Sequence, residues 1–373
     1  MSLHCDLKGR QKVFYLQFDR AASCCRAQQH DLAKTTLGDL LLTWDQQRQE
    51  LDQGQTISDC EYCWRDEREG RSSYRQLQAG HDTNRIELYI NNTCNHMCSY
   101  CSPKFSSEWQ HSIQTQGPFR GISATNRQNQ AVIPASVHAA DWLAQIQHWI
   151  TQQPDHSVEL NLLGGEPLMQ YRNLEFMLES VTRKISRLRI TTNLNPPNNR
   201  FLHWLLDHLG HSKLIISVSL DASPAWNHIP RAGFDADRFQ TNFDLIRSQN
   251  IGHVVLSVVS VLSVFDLANF LQWQDQNQIR GQFNHLYNPD CLDAALLPRW
   301  IRQAIWDQLP PDWQQDTVLR EVLLSTKTQL DIKLIEQYNY LTQYFQRTQQ
   351  DPTSFDNELF QAWWTWLEQN YRK

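Results

Sequence analysis

Six short runs rich in valine, isoleucine and leucine punctuate the middle of the chain: RIELYIN (85–91), SVELNLLG (157–164), LRITTNL (188–194), LIISVSLD (214–221), HVVLSVVSVL (253–262) and the shorter QFNHLYN (282–288). Runs this continuous suit strands covered on both faces, as in a parallel sheet. Between them lie stretches with helical spacing, predicted at 138–152, 172–184, 200–209, 236–248 and 266–277; in the first, Ala140, Leu143, Ile146 and Ile150 mark one face. Strand and helix in alternation imply right-handed crossovers and a parallel sheet, open or curled into a partial barrel. The segment from about 103 to 130 is polar, rich in glutamine, serine and asparagine, and reads as a long inserted loop that could cover a barrel mouth. Residues 1–80 read as a small irregular module with one helical stretch, about 31–51, and beyond residue 292 the pattern is helical to the end. No internal repeat is evident.

Charge narrows the picture. The 373 residues carry a net charge of −6, with acidic and basic residues interspersed, so neither a nucleic-acid footprint nor a membrane-surface patch is implied. The first residues, MSLHCDLKGRQKVFYLQFD, contain no apolar signal core, and nowhere do eighteen apolar residues run together. A cytoplasmic protein with no nucleic-acid or membrane partner is expected. The fourteen tryptophans, densest in WWTWLEQNY, are read as core.

Nine cysteines without a secretory signal point to a reducing compartment, where thiols serve metals or redox chemistry. Cys94, Cys98 and Cys101 form C-x-x-x-C-x-x-C directly after the first strand, where ligand sites gather in parallel sheets. Three thiolates within eight residues can converge on one metal and leave a coordination position open, which suits catalytic zinc or a [4Fe–4S] cluster with one exchangeable iron. One strand–helix unit later, LLGGEPLM (162–169) closes the second strand. Gly164 and Gly165 allow close backbone approach, Glu166 can accept from an ammonium group, and Pro167 fixes the turn into the next helix.

The cysteine loop, with Tyr100 before its last cysteine, and the GGEP turn in this order resemble the radical S-adenosylmethionine (radical SAM) superfamily. The resemblance implies a partial (β/α)6, TIM-like radical SAM barrel over about 82–290, an α/β fold, followed by a helical C-terminal extension over 291–373. It makes Cys94, Cys98 and Cys101 the ligands of a [4Fe–4S] cluster and puts Tyr100 beside the adenine of S-adenosylmethionine. Gly164, Gly165, Glu166 and Pro167 would receive the methionine amino group, and one or two of Thr191, Thr192, Asn193, Ser217, Ser219 and Asp221 would contact the rest of the cofactor. Polar strand ends also cap helices, and that alternative stays open for each. Ser257 and Ser260 on the fifth strand are weaker candidates. The implied activity is reductive cleavage of S-adenosylmethionine and hydrogen abstraction from a substrate, with an electron donor such as flavodoxin or ferredoxin.

The segment from Cys24 and Cys25 through Leu37, Gly38, Leu40, Trp44, Arg48 and Leu51 to Cys60-x-x-Cys63, with Glu67, Gly70, Ser73 and Arg75 beyond, resembles the auxiliary-cluster module called SPASM, or its shorter twitch form. This implies a second iron–sulfur cluster on Cys60, Cys63 and one or both of Cys24 and Cys25, completed by Cys5 or Cys291; a zinc knuckle would use the same thiolates. The module precedes the barrel here, whereas in the family it usually follows. The resemblance favours a ribosomally made peptide as substrate, with a small metabolite such as a sugar alcohol or nucleoside, or a non-catalytic metal-binding protein, as alternatives. His96 is expected to be a loop residue, His285 and Tyr287 to pack or face substrate, and Cys291 to be a core thiol or reach the barrel mouth.

Overall fold

The computed structural model of the protein describes residues 5–70, 73–77, 83–209, 212–279, 281–326 and 331–372. Three strands open the chain, β1 (Gln11–Tyr15), β2 (Arg20–Ala22) and β3 (His30–Asp31), followed by helices α1 (Leu37–Asp52), α2 (Glu61–Arg68) and α3 (Tyr74–Leu77). Next come β4 (Asn84–Tyr89), the two-residue β5 (Met97–Cys98), α4 (Ser107–Gln116), α5 (Ala124–Gln128) and α6 (Ala139–Thr151). Strands and helices then alternate: β6 (Val158–Leu163), α7 (Tyr171–Val181), β7 (Ile185–Thr192), α8 (Arg200–Leu209) and β8 (Leu214–Ser219). A short β9 (Arg231–Ala232) precedes α9 (Ala236–Ser248), β10 (Gly252–Val259), α10 (Leu267–Gln276) and β11 (Gln282–His285). The chain closes with α11 (Arg299–Asp307), α12 (Thr317–Leu323), α13 (Asp331–Thr348) and α14 (Glu358–Tyr371). All six apolar runs are therefore strands, and the five expected helices lie between them.

Two expectations change. The polar segment 103–130 is not an open loop: it holds α4 and α5, started by Ser106 and Ser123, whose hydroxyls accept from the Trp109 and Asn126 amides. Only a few side chains, Trp109 and Ile113 among them, are buried there, too few for an apolar period to be read. It is tied to α13 through Gln343, which accepts from the Arg120 amide (2.8 Å) and donates to the Arg120 carbonyl (2.9 Å). The N-terminal segment, for its part, contains β1 to β3 besides the expected helix.

The chain divides into two compact units, one of Met1–Asn92, Ile133–Thr191 and Asn199–Ile215, the other of Thr93–Val132, Thr192–Asn198 and Ile216–Lys373. In the first, the strand order is β7-β6-β4-β1-β2-β3. β1, β4, β6 and β7 run parallel, with Leu88 opposite both Phe14 and Leu162, and β2 and β3 add on antiparallel. Alternation separates the faces. Ile86, Leu88, Leu160, Leu162, Leu188 and Ile190 are almost fully buried, each contributing about 1.5–3 kcal/mol by leaving water. Glu87, in the alternate position on β4, accepts from Gln11 Nε2 at 2.7 Å, and burial pushes its carboxyl up.

In the second unit β8, β10 and β11 are neighbours, β10 and β11 parallel, and β5 pairs antiparallel with β9. Phe239 and Phe243 of α9 stack at 5.5 Å, and Trp273 of α10 lies 5.4 Å from Phe243. Trp363 and Trp364 of α14 are buried against Phe360, as expected of core aromatics. Among the described residues no helix is long and apolar enough to cross a membrane.

Candidate functional site

The cysteine loop belongs to the second unit, and its backbone is held at nearly every residue. Cys94 is fixed by Ser107, whose hydroxyl accepts from the Cys94 amide (3.1 Å) and donates to its carbonyl (3.0 Å). Ser106 donates to the His96 carbonyl at 2.8 Å. Three successive carbonyls meet aromatic donors: Trp109 Nε1 donates to Cys98 (2.9 Å), Tyr340 to Ser99 (2.8 Å), and the Tyr344 hydroxyl lies between those of Met97 (3.2 Å) and Ile229 (2.9 Å). Tyr340 and Tyr344 both come from α13, so the C-terminal extension braces the loop. Gly233, at φ +97°, completes the fit, since a Cβ there would stand 2.5 Å from the Asn95 carbonyl oxygen.

The pairing of β5 with β9 sets Cys98 directly across from Arg231. Arg231 is buried, and its guanidinium is used on every edge. Nε donates to Asp221 Oδ2 (2.8 Å), one terminal nitrogen donates to the Tyr100 hydroxyl (2.6 Å), and the other reaches the Cys98 sulfur at 3.6 Å. Tyr100 in turn donates to Asp221 Oδ2 at 2.7 Å, and the Val258 amide donates to Asp221 Oδ1 at 2.8 Å. Burial pushes the Cys98 thiol up, with Arg231 opposing, and pushes Cys101 up to about 12, where neighbouring Cys98 adds to the effect. Burial and then Arg231 hold the His96 imidazole down at about 3, so it stays neutral in ordinary buffers. Asn95, in the loop, donates to the Asn195 carbonyl (2.7 Å) and accepts from Asn193 (3.0 Å), so the residues after β7 bracket it.

As a donor set, three free thiols on one eight-residue loop suit an iron–sulfur cluster. Among the described residues no three His, Cys, Asp or Glu side chains already stand in a metal-holding arrangement. The thiols fit by type and by their place on one loop, and their closure on a metal is left to the proposal below.

The GGEP turn belongs to the first unit. Gly164 and Gly165 have φ of +79° and +51°, and a Cβ on Gly164 would meet the Tyr89 backbone and ring at 3.0–3.2 Å. The close approach at Gly164 is thus to β4. Glu166 is buried, and one carboxylate oxygen accepts from the Leu168 amide at 3.0 Å, capping the turn that Pro167 begins.

In the N-terminal segment of this unit Lys8 is 2% exposed and bonds Ser23 Oγ (2.6 Å) and Asp59 Oδ2 (3.2 Å). Cys5 and Cys60 pack on the small core of Leu51, Ile57 and Trp64. Burial pushes the Cys60 thiol up to about 12, against the pull of Lys8, with Cys5, Cys63 and Asp59 reinforcing it. Cys24, also at about 12 through burial, lies within reach of Cys25, Lys8 and Cys60. Burial pushes the Cys25 thiol up, with Glu87 adding to the effect and Tyr74 and Arg26 opposing it, and Cys25 in turn raises Cys24.

The other candidates have these surroundings. Thr192 accepts from the Leu194 amide (2.9 Å), Ser257 donates to the Leu220 carbonyl (2.7 Å), and Ser260 closes a turn with Ser263. Ser217 is buried and Ser219 half-buried on β8. His285 is held between Asp293 (2.9 Å) and Glu321 (3.2 Å), and Tyr287 is exposed. Cys291 is a fully buried thiol whose carbonyl accepts from Gln337. Sequence reasoning passed over Arg231, Asn95, Asn195, Trp109, Tyr340, Tyr344 and Lys8. The one local signal was an arginine set between Ile229-Pro230 and Ala232-Gly233, ten residues after Asp221.

No family model matches the chain. Over 194 residues it is 21% identical to the radical SAM cyclopropyl synthase TigE of Paramaledivibacter caminithermalis, covering 52% of this chain and 39% of that protein. Over 123 residues it is 25% identical to an S-adenosylmethionine-dependent nucleotide dehydratase of Psychrobacter lutiphocae, covering 33% and 37%. The chain thus spans about two fifths of the length of these relatives. Among solved structures, native anSMEcpe with bound AdoMet aligns at a TM-score of 0.38 and 13% identity, over 70% of this chain and 59% of that one. The sequence relatives support the radical SAM superfamily.

Proposed function

We propose that the protein is a radical SAM enzyme in which Cys94, Cys98 and Cys101 hold a [4Fe–4S] cluster. Gly164, Gly165, Glu166 and Pro167 receive the methionine end of S-adenosylmethionine, and Tyr100, Thr192, Asn193 and Ser219 contact the remainder. The observation that carries this reading is the three-thiol loop with its carbonyls bonded by Trp109, Tyr340 and Tyr344, followed in the chain by the GGEP turn. A cluster held by these three cysteines would supply the electron for reductive cleavage of S-adenosylmethionine and so the means of hydrogen abstraction from a substrate. The chain's part is to hold the loop against rearrangement, to keep Arg231 charged and His96 neutral beside it, and to exclude water.

In this reading residues 1–80 form a twitch- or SPASM-like module, 82–290 the barrel and 291–373 the extension. The module carries a second iron–sulfur cluster on Cys24, Cys60 and Cys63, with Cys5 as the fourth thiol in place of Cys25. An electron donor such as flavodoxin or ferredoxin and a cytoplasmic location go with it. The substrate proposed first is a ribosomally made peptide. A nucleotide-like metabolite is the second reading, favoured by the similarity to a nucleotide dehydratase.

The test is anaerobic reconstitution with iron and sulfide, then dithionite and S-adenosylmethionine, with chromatography for 5′-deoxyadenosine. The protein is expected to release 5′-deoxyadenosine, the Cys98→Ala variant none, and the iron count to be about eight per chain if both clusters form. Zinc in place of iron and no 5′-deoxyadenosine would instead make the chain a metal-binding protein without catalysis.

A further inference from the structure

Arg231 is a buried, permanently charged group whose three edges are all assigned. Two of its nitrogens are spent on Asp221 and Tyr100, which fixes the plane of the fork and leaves the third directed at the Cys98 sulfur, 3.6 Å away. The β5–β9 pairing sets the two residues opposite each other through the backbone, so the contact does not depend on a flexible reach. Neither the cysteine motif nor the GGEP turn contains this arginine; the buried Asp221 carboxylate needs a cation beside it, and the fork that meets this need also reaches the Cys98 sulfur.

A donor on a ligating sulfur stabilises the state in which that sulfur carries more negative charge. Hydrogen bonds to cluster sulfurs are among the determinants of cluster potential. In a site this poor in water the effect is stronger than at a surface. Adding one electron to a cluster held by Cys94, Cys98 and Cys101 increases the negative charge on its sulfurs and needs no proton. A positive charge at Cys98 therefore favours the reduced form. Asp221 acts the other way: it orients the guanidinium and offsets part of its charge, while Tyr100 fastens the pair to the residue next to Cys101.

We propose that Arg231 is a positioning residue that raises the reduction potential of the cluster through the Cys98 sulfur, with Asp221 setting the size of the effect. The proposal rests on the radical SAM reading above and adds to it a residue that tunes the electron step.

The experiment is a dithionite titration of the reconstituted full chain, followed by electron paramagnetic resonance of the reduced cluster, on the wild type, Arg231→Gln and Asp221→Asn. Iron is counted in each. Formation of 5′-deoxyadenosine by the wild type first establishes the underlying reading; without it the reading itself fails, whatever the potentials. Arg231→Gln is expected to keep its iron and shift the midpoint downward, and Asp221→Asn to shift it upward. Opposite signs are what a merely structural role would not produce. If Arg231→Gln holds no iron, Asp221→Asn decides: a rise supports the proposal. An unchanged midpoint in a variant that keeps its cluster, two shifts of the same sign, or loss of the cluster from both variants would overturn it.

Discussion

The loop at 94–101 and the thiols of the N-terminal segment are both cysteine groups, yet they are held in different ways. Around Cys94, Cys98 and Cys101 the backbone itself is bonded, by hydroxyls and an indole from Ser106, Ser107, Trp109, Tyr340 and Tyr344. In the N-terminal segment one buried cation, Lys8, is paired with Asp59 and acts on Cys24 and Cys60. Neutral bonds to backbone carbonyls fix a shape whether or not a metal is present. A buried lysine among thiols gains partners as those thiols ionise, so this group is matched to a charge state more than to a shape.

Metal content should break the comparison most sharply. Cys60→Ser and Cys5→Ser are each expected to remove the N-terminal centre and about half of the bound iron, while 94–101 keeps its cluster; full iron in Cys5→Ser would return the fourth ligand to Cys25 or to another donor. Lys8→Met comes next. It leaves Asp59 buried without its partner and should cost about 3–5 kcal/mol, read as a lower urea midpoint, whereas a change under about 1 kcal/mol would show that the ion pair does not organise this segment. Tyr344→Phe should cost less, about 1–3 kcal/mol, by leaving a buried carbonyl unpaired. Its cluster should also be lost faster to a chelator than that of the wild type; equal loss rates would mean that α13 does not brace the loop. Smallest of all, Cys25→Ser should leave both the iron count and the urea midpoint unchanged, because Cys25 is the exposed thiol of the segment and the proposed ligand set does not use it.

Much of this molecule was readable along the chain. The strands β8 and β10 carry near-continuous apolar runs, β4, β6 and β7 interrupted ones and β11 a single phenylalanine, and α8 and α9 begin and end where the sequence placed them. β1 to β3 escaped notice: KVFY is a short apolar run, and RAA and HD carry no period at all. α4 and α5 escaped because their caps, Ser106 and Ser123, stand in a stretch where serine is common. The site divides in the same way. The cysteines and the GGEP turn are local patterns, visible because the spacing is the chemistry. Lys8 carries no local signal; folding buries it against Ser23 and Asp59, 15 and 51 residues away.

By itself, then, the sequence determined the alternation of strand and helix, the three-thiol loop and the glycine turn. These are set by local periodicity, by the short reach between neighbouring residues, and by the backbone freedom of glycine. Only the tertiary structure decided that Arg231 faces Cys98 across 133 residues of chain, that Tyr340 and Tyr344 reach back more than 240 residues to carbonyls of the loop, and that Cys5 and Cys60 pack on one small core. The physical reason is that a side chain's partner depends on which strand lies beside its own and on which face it points to, and strand pairing is fixed by the sum of buried contacts over the whole sheet.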